Sequence, residues 1–534
     1  MSVALTGVAM RIESLETLQD KLNPDVWRGL RRYLESVRTG QPKDYVTPLL
    51  SKEKRSNQLA FAQELLNKMV RTDIQLLKEI EEKEALKFGP FSIRDPWALR
   101  KPLVEKYFSQ VEVKSSISLR KAFLQLAKLI PAHSLTALDL DDSFHLSPKG
   151  KNLGLPAFSS DRKYEKSYLK KAKQIAAKGY IEDTFDAVIG WRGQPNGSTV
   201  HIKNRTVWMM SHVETYVATG VVNPLLAVLK IKPGFAAWND LSYVDKRITR
   251  MMDRAKHNIL SVDFSGYDQS LPSTIIRLAF DLLRLWFKER DAKRITWLER
   301  QFLSVGLVTP DGIYRGRDGG VPSGSGLTNL IDSLGQILAM FAACIDLGYT
   351  IRDFEVLGDD GAFSYDQLID VERMSSYFQD LYGMSVSSDK GGFSIDSVQF
   401  LQRLHYRGYR RHGLCVGVRS LIRTLNGMCH LERLHRGLKP EFFSARLIMQ
   451  CENARHHPNF RALVKYIFLH DRYLRHLDPA EVFKRAGGVG FVEDVLGLRS
   501  FRFTDELPSR GLNEFDTVIE LRRLLEVENT QRAA

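Results

Sequence analysis

Cysteine is scarce in this chain: Cys344, Cys415, Cys429 and Cys451 are the four among 534 residues. Cysteines so few and so unevenly spaced exclude a disulfide framework and lead us to expect a reducing, intracellular compartment. They include no Cys-x2-Cys pair, so a zinc site built from Cys415, Cys429, His430, Cys451, His456 and His457 is not expected. Long apolar runs are missing too. The most apolar window, 337–345, is followed by Asp346 and preceded by Gln336 and Asp332, short of the roughly 20 apolar residues a spanning helix needs. The start has no basic residue before Arg11 and no apolar stretch of signal length, so a soluble chain with neither secretion signal nor membrane partner is expected. Acidic residues are the minority, 63 Asp plus Glu against 77 Lys plus Arg, and the net charge of +14 favours a polyanionic partner such as nucleic acid. With 43% hydrophobic and 26% charged residues, 37 Gly and 19 Pro, collagen-like, coiled-coil and wholly disordered classes are excluded. No internal repeat is visible, and the length suits about three or four core units.

What is present changes texture along the chain. Residues 51–86 run without Gly or Pro and carry Leu59, Phe61, Leu65, Leu66, Met69, Ile74, Leu77 and Ile80 among charges, which predicts one or two amphipathic helices. Between 161 and 180, seven Lys and Arg residues surround Tyr164 and Tyr168; this is either a solvated helix face or a surface for phosphates. From 256 to 409, short β-branched or aromatic runs alternate with helical patterns, which predicts an α+β core. A strand is predicted over 259–262 and a helix over 273–290, with Pro272 in its first turn. Runs at 354–357 and 362–365 flank Gly358-Asp359-Asp360-Gly361, a predicted tight hairpin. Helices are predicted over 367–382, 442–454, 460–477 and 514–528, and the polar end 529–534 is expected to be mobile or held only by polar contacts.

Three segments can carry chemistry. A strand ending at Asp263 places one carboxylate at a sheet edge, and the Ser265-Gly266 turn brings Asp268 over the same opening, unless Asp268 merely caps a helix. The run Gly319-Gly320-Val321-Pro322-Ser323-Gly324-Ser325-Gly326 permits close backbone approach to a ligand. In the helix predicted after it, Thr328, Asn329, Asp332 and Gln336 share one face, opposite Leu330, Leu334, Ile337, Phe341 and Ile345. Adjacent acids at a hairpin tip, Asp359 and Asp360, are either well solvated or hold a cation. With Asp263 they offer the hard oxygen ligands that Mg²⁺ takes, leaving places for water and phosphates.

In this order the three segments resemble motifs A, B and C of viral RNA-dependent RNA polymerases, and the Gly-Asp-Asp hairpin is that family's most typical mark. With Trp191-Arg192-Gly193-Gln194 and the Lys203 to Tyr216 segment, the likeness is greatest to polymerases of small double-stranded RNA viruses, the picobirnaviruses. The resemblance covers roughly 191–411. It implies a closed right hand: fingers, an RNA-recognition-like palm and a mostly helical thumb. The implied divisions are 1–100, an amino-terminal helical extension bridging fingers and thumb; 101–254, fingers; 255–290, palm with motif A; 291–325, a fingers insertion with the motif B loop; 326–411, palm with motifs B to E; and 412–534, thumb and carboxy-terminal tail.

The resemblance also implies roles. Asp263 and Asp359 would ligate two Mg²⁺ or Mn²⁺ ions, with Asp360 a weaker partner and Lys390 a proton donor to pyrophosphate. Asp268 would sense the ribose beside Ser323, Gly324, Thr328 and Asn329; relatives often place Asn nine residues after the motif B Ser, where this chain has Asp332, so the partner of Asp268 is either Asn329 or Asp332. Lys203 and Arg205, with Arg192, would hold the triphosphate, which has no Gly-x4-Gly-Lys-Ser/Thr loop to bind it here. Arg403, Tyr406 and Arg407 resemble a primer-grip hairpin. Implied partners are single- and double-stranded RNA, ribonucleoside triphosphates and a viral capsid protein, for a monomer in the virion interior or host cytoplasm. A reverse transcriptase would more often show Tyr-x-Asp-Asp at the hairpin and a bulky residue in place of Asp268. A non-catalytic RNA-packaging protein would need the charge but not three acids on one cavity.

Overall fold

The computed structural model describes residues 10–52, 60, 61, 64, 67, 74–108, 113, 116–148, 151–178, 185–386, 392–434, 437–496 and 511–533. Among these residues, one sheet of four strands runs in the order Gly392–Ser394, Ile259–Val262, Asp360–Tyr365, Ile351–Leu357, with every neighbouring pair antiparallel. The helices Ser273–Trp286 and Thr328–Leu347 share one apolar core with the sheet, in which Leu330, Leu334 and Ile337 pack with Val262, Val356 and Phe363. This is the α+β arrangement the alternating texture predicted. By length and composition Thr328–Leu347 could cross a bilayer, contrary to the sequence expectation, but 78% of its most apolar stretch is buried inside the protein. Its apolar side lies in the core, and its polar side carries Asn329, Asp332 and Gln336.

A second sheet has five strands in the order Arg11–Glu13, Gly312–Arg315, Leu307–Thr309, Ala187–Gln194, Lys203–Met209. Its first strand was not legible in the sequence; three residues carry no period, and partners from far along the chain fix it. Arg315 joins Glu13 at 2.6 Å and Asp186 at 2.7 Å. Further on, Tyr45–Val46 pairs with His430–Leu431, and His430 Nδ1 lies 2.9 Å from Asp44. The amino-terminal segment thus touches both the five-stranded sheet and the carboxy-terminal lobe, whose helices Leu421–Cys429, Pro440–Glu452, Phe460–His470, Pro479–Ala486 and Asp516–Ala533 share a separate core.

Glu81 makes the tightest of these joints. From the helix Gln75–Leu86 its buried carboxylate accepts from Ser420 Oγ at 2.6 Å, Leu421 N at 2.6 Å and Ile422 N at 3.0 Å, capping the Leu421–Cys429 helix from another element. Charge-assisted bonds to orphan helix donors are worth more than neutral ones. Glu81→Ala is expected to lower stability by about 3 kcal/mol in urea titration, because two buried N–H groups lose their acceptor. A loss below about 0.5 kcal/mol, the scale of an ordinary surface substitution, would remove Glu81 as the joint.

Three sequence expectations are corrected. The helix predicted over 273–290 ends at Trp286; Phe287 is extended, its carbonyl meets His133 Nδ1 at 2.9 Å, and a new helix, Glu289–Ser304, follows. The helix predicted over 460–477 stops at His470, because the Asp471 carboxylate takes the amides of Tyr473 and Leu474 and the hydroxyl of Ser444. Residues 529–533 complete the helix Asp516–Ala533 instead of forming a loose tail. Buried Val518 and Leu521 hold that helix in place, and each added residue gains a backbone bond.

Candidate active site

The four-stranded sheet gathers the acids. Val262 pairs with Gly361, so Asp263, one residue past its strand, comes beside Asp360. Leu357 pairs with Asp360, leaving Gly358 and Asp359 as a two-residue turn in which Gly358 takes φ +63°, a conformation that favours glycine. Gly266, at φ +67°, turns the chain from Asp263 into the short helix Tyr267–Ser270 and brings Asp268 back over the sheet edge. This crowding disfavours the charged form of several of the acids. Burial, then the charges of Asp359 and Asp263, push Asp360 up to about 7. Burial and Asp359 raise Asp268 as well, while Arg205 opposes the rise. Asp332 is raised well above the carboxylate range by burial and by the charges of Asp268 and Asp359.

The polar face of Thr328–Leu347 holds the hairpin tip. Ser333 Oγ accepts from Gly358 N at 2.8 Å, and Gln336 Nε2 donates to the Asp359 carbonyl at 3.1 Å. Asp332, on the same face, is buried next to Asp268, and its Oδ1 finds no hydrogen bond among the described residues. Ahead of this helix, Ser323 Oγ donates to the Thr206 carbonyl at 3.1 Å and Thr328 Oγ1 to the Pro322 carbonyl at 2.9 Å. A Cβ on Gly324 would lie 1.9 Å from the Trp208 carbonyl, so only glycine lets the loop lie this close to the strand Lys203–Met209.

That strand carries the cations. In its antiparallel pairing with Ala187–Gln194, Arg192 stands opposite Arg205, and Gln194 opposite Lys203. Opposed residues share a face, so Arg192, Lys203 and Arg205 project together, all exposed, between buried Ile202 and Asn204. Like charges placed directly opposite destabilise a sheet; Glu432 meets part of the charge of Arg192 at 3.4 Å, and Arg205 faces Asp268 and Asp360. Such a pairing is suited to an anion.

Comparison with known proteins agrees. A family model for viral RNA-dependent RNA polymerases matches residues 183–414, which span the basic strands, both acid segments and the Gly-rich loop. The chain is 28% identical over 466 residues to a potential RNA-dependent RNA polymerase of a human picobirnavirus, covering 82% of this chain and 85% of that one. Over these residues the chain is similar to viral RNA-dependent RNA polymerases. It is 24% identical over 296 residues to an RNA-directed RNA polymerase of Cryptosporidium parvum virus 1, covering 52% of this chain and 55% of the relative. The crystal structure of a human picobirnavirus RNA-dependent RNA polymerase matches its fold with a TM-score of 0.78 at 24% identity, covering 96% of this chain and all of that one. The right-hand architecture expected from the sequence is therefore present.

Not every residue singled out in the sequence reaches this cluster of acids. The expected primer-grip ribbon exists, Ser397–Phe400 paired with Arg403–Tyr406. Arg403, however, is buried, donating to the Gly417 carbonyl at 3.2 Å beside Asp245, and Arg407 donates to the carbonyls of Met252 and Ile395. Their guanidiniums brace the ribbon, because a buried backbone carbonyl must be satisfied. Tyr406 is half-buried against Leu77 and Leu404. Lys390 lies outside the described residues. The cysteines are buried singly, and among the described residues no three Cys, His, Asp or Glu side chains form a metal cluster. Sequence reasoning missed Arg423, which faces Asp360 from the carboxy-terminal lobe, and Tyr107, which is hydrogen-bonded with Ser323 beside Asp268. Neither lies near a motif, so only tertiary placement finds them.

Proposed function

We propose that the chain copies an RNA template from ribonucleoside triphosphates, in replication and transcription of a double-stranded RNA virus genome, in the virion interior or host cytoplasm. One observation carries this reading: five clustered aspartates, Asp263, Asp268, Asp332, Asp359 and Asp360, repel one another, and Arg205, on a strand pair that also exposes Arg192 and Lys203, faces two of them. Carboxylate oxygens are the hard ligands that Mg²⁺ or Mn²⁺ takes, with water and substrate phosphates completing the shell. Asp263 and Asp359 would hold two such ions, with Asp360 beside them; when bound, the ions would supply an acidified primer 3′-hydroxyl and a neutralised pyrophosphate.

The protein's own groups do the rest. Arg192, Lys203 and Arg205 orient the triphosphate by charge-assisted hydrogen bonds and neutralise charge that moves toward pyrophosphate. Asp268 and Asp332, with Ser323 and Asn329, bind the ribose hydroxyls. Lys390 is assigned proton donation to pyrophosphate on the motif resemblance. Template-length product from single-stranded RNA, four ribonucleotides and Mg²⁺ or Mn²⁺ supports the reading; RNA binding without synthesis would turn it into packaging. RNA affinity is expected to fall at least ~10-fold between 50 and 200 mM salt as counterions are released, and to depend more on length than on sequence. A binding constant flat over that range, in filter binding or anisotropy, would remove the electrostatic contacts.

A further inference from the structure

The Gly-rich loop is fastened by two buried charged side chains outside the acid cluster. Glu214, in the first turn of the helix His212–Leu229, accepts from Ser325 Oγ at 2.5 Å and from Gly326 N at 3.4 Å, and is 1% exposed. Arg317, 7% exposed, donates to the Gly320 carbonyl at 2.6 Å and to the Phe302 carbonyl, and its guanidinium lies over the Trp208 ring at 4.9 Å. Burial dominates both groups: it pushes Glu214 up to about 7 and Arg317 down to about 10, and among the described residues the Tyr107 phenol is the titratable group that opposes the shift of Arg317. A buried charge without an opposite charge is expensive, and an apolar residue would fill the same space without that expense. What the two charges achieve is placement. Next to the bond from Arg317, Val321 N donates to the Asp268 carbonyl at 2.6 Å. Next to the bond from Glu214, Ser325 Oγ accepts from Leu327 N at 3.1 Å, one residue before the helix that carries Asn329 and Asp332.

The geometry points to Glu214 and Arg317 as positioning residues that clamp the two ends of the 319–326 loop and so set Ser323 and the start of the Thr328–Leu347 helix over Asp268. This rests on the reading of that loop as the ribose site. Neither residue touches nucleotide; each acts through backbone and, for Glu214, through the Ser325 hydroxyl.

Two readouts test the clamp. The first is amide hydrogen exchange on the free protein. Glu214→Ala and Ser325→Ala are each expected to speed exchange at Gly326 and Leu327, and Arg317→Met at Val321. Glu214→Gln, which keeps an acceptor for Ser325, is expected to keep Leu327 protected while Gly326 opens. The second readout is steady-state kinetics. Glu214→Ala and Ser325→Ala should each raise the ribonucleotide KM about 10-fold with kcat within about twofold, since they remove a buried hydrogen bond without touching the reacting atoms. The double variant should fall well short of the product of the two single effects, because both remove the bond between Glu214 and Ser325. Unchanged exchange at all three amides, or KM effects that multiply in the double variant, would overturn the proposal. If the unmodified protein incorporated no ribonucleotide, the ribose-site reading would fail, and the exchange arm would still decide whether the clamp exists.

Discussion

Asp359→Asn is expected to abolish nucleotide incorporation, by about three orders of magnitude or more, while leaving RNA binding nearly intact. The turn does not depend on the carboxylate: Gly358 N is held by Ser333 Oγ, and Gln336 bonds the Asp359 backbone carbonyl, which the amide variant keeps. Removing the charge also relieves Asp268, Asp332 and Asp360, all of which it pushes upward, so the variant should be no less stable than the parent. Lost activity with retained or increased stability is the signature of a carboxylate placed for a cation. Incorporation within about tenfold of the parent, measured on the same template, would show that Asp359 is not a ligand the reaction needs.

The second large effect concerns sugar choice. Asp268→Ala is expected to lower ribonucleotide use far more than deoxyribonucleotide use. A polar site built around a 2′-hydroxyl leaves its own groups unpaired when the hydroxyl is absent, at about 1 to 3 kcal/mol, or roughly 5- to 150-fold in preference. Of the two candidate partners, Asp332 is the one whose carboxyl responds to the charge of Asp268, and its Oδ1 is buried without a hydrogen bond among the described residues. Asp332→Ala is therefore expected to narrow the ratio of ribonucleotide to deoxyribonucleotide kcat/KM more than Asn329→Ala. Asp332→Asn, which keeps a neutral polar group there, should largely preserve it. A ratio unchanged in Asp268→Ala would end the ribose-sensing role and restore the reverse-transcriptase alternative.

The parts of this site that were legible in the sequence are those in which local chemistry sets local geometry. Asp263 after an apolar strand, the turn glycines Gly266 and Gly358, and the one-sided polarity of the helix after the Gly-rich loop each fix their own neighbourhood. The residues Arg192 and Lys203 stand out in the sequence, but their common face does not, since the connection 195–202, although Asn196-Gly197 marks a turn in it, is too long to fix which residues of the two strands stand opposite. The buried fate of Arg403 was hidden because Asp245 and Gly417, which receive it, come from different parts of the chain. Nothing in the helices that carry Glu81 and Glu214 foretells the loop or helix end placed against them. Sequence periodicity identifies an element's faces; it does not say which partner covers them.

The central claim is template-directed RNA synthesis, and its most direct test supplies one ribonucleotide at a time against each of four homopolymeric RNA templates with Mg²⁺ or Mn²⁺. Incorporation is expected only for the complementary nucleotide, and only with metal present. Incorporation indifferent to the template, or none with any of the four, would contradict the account.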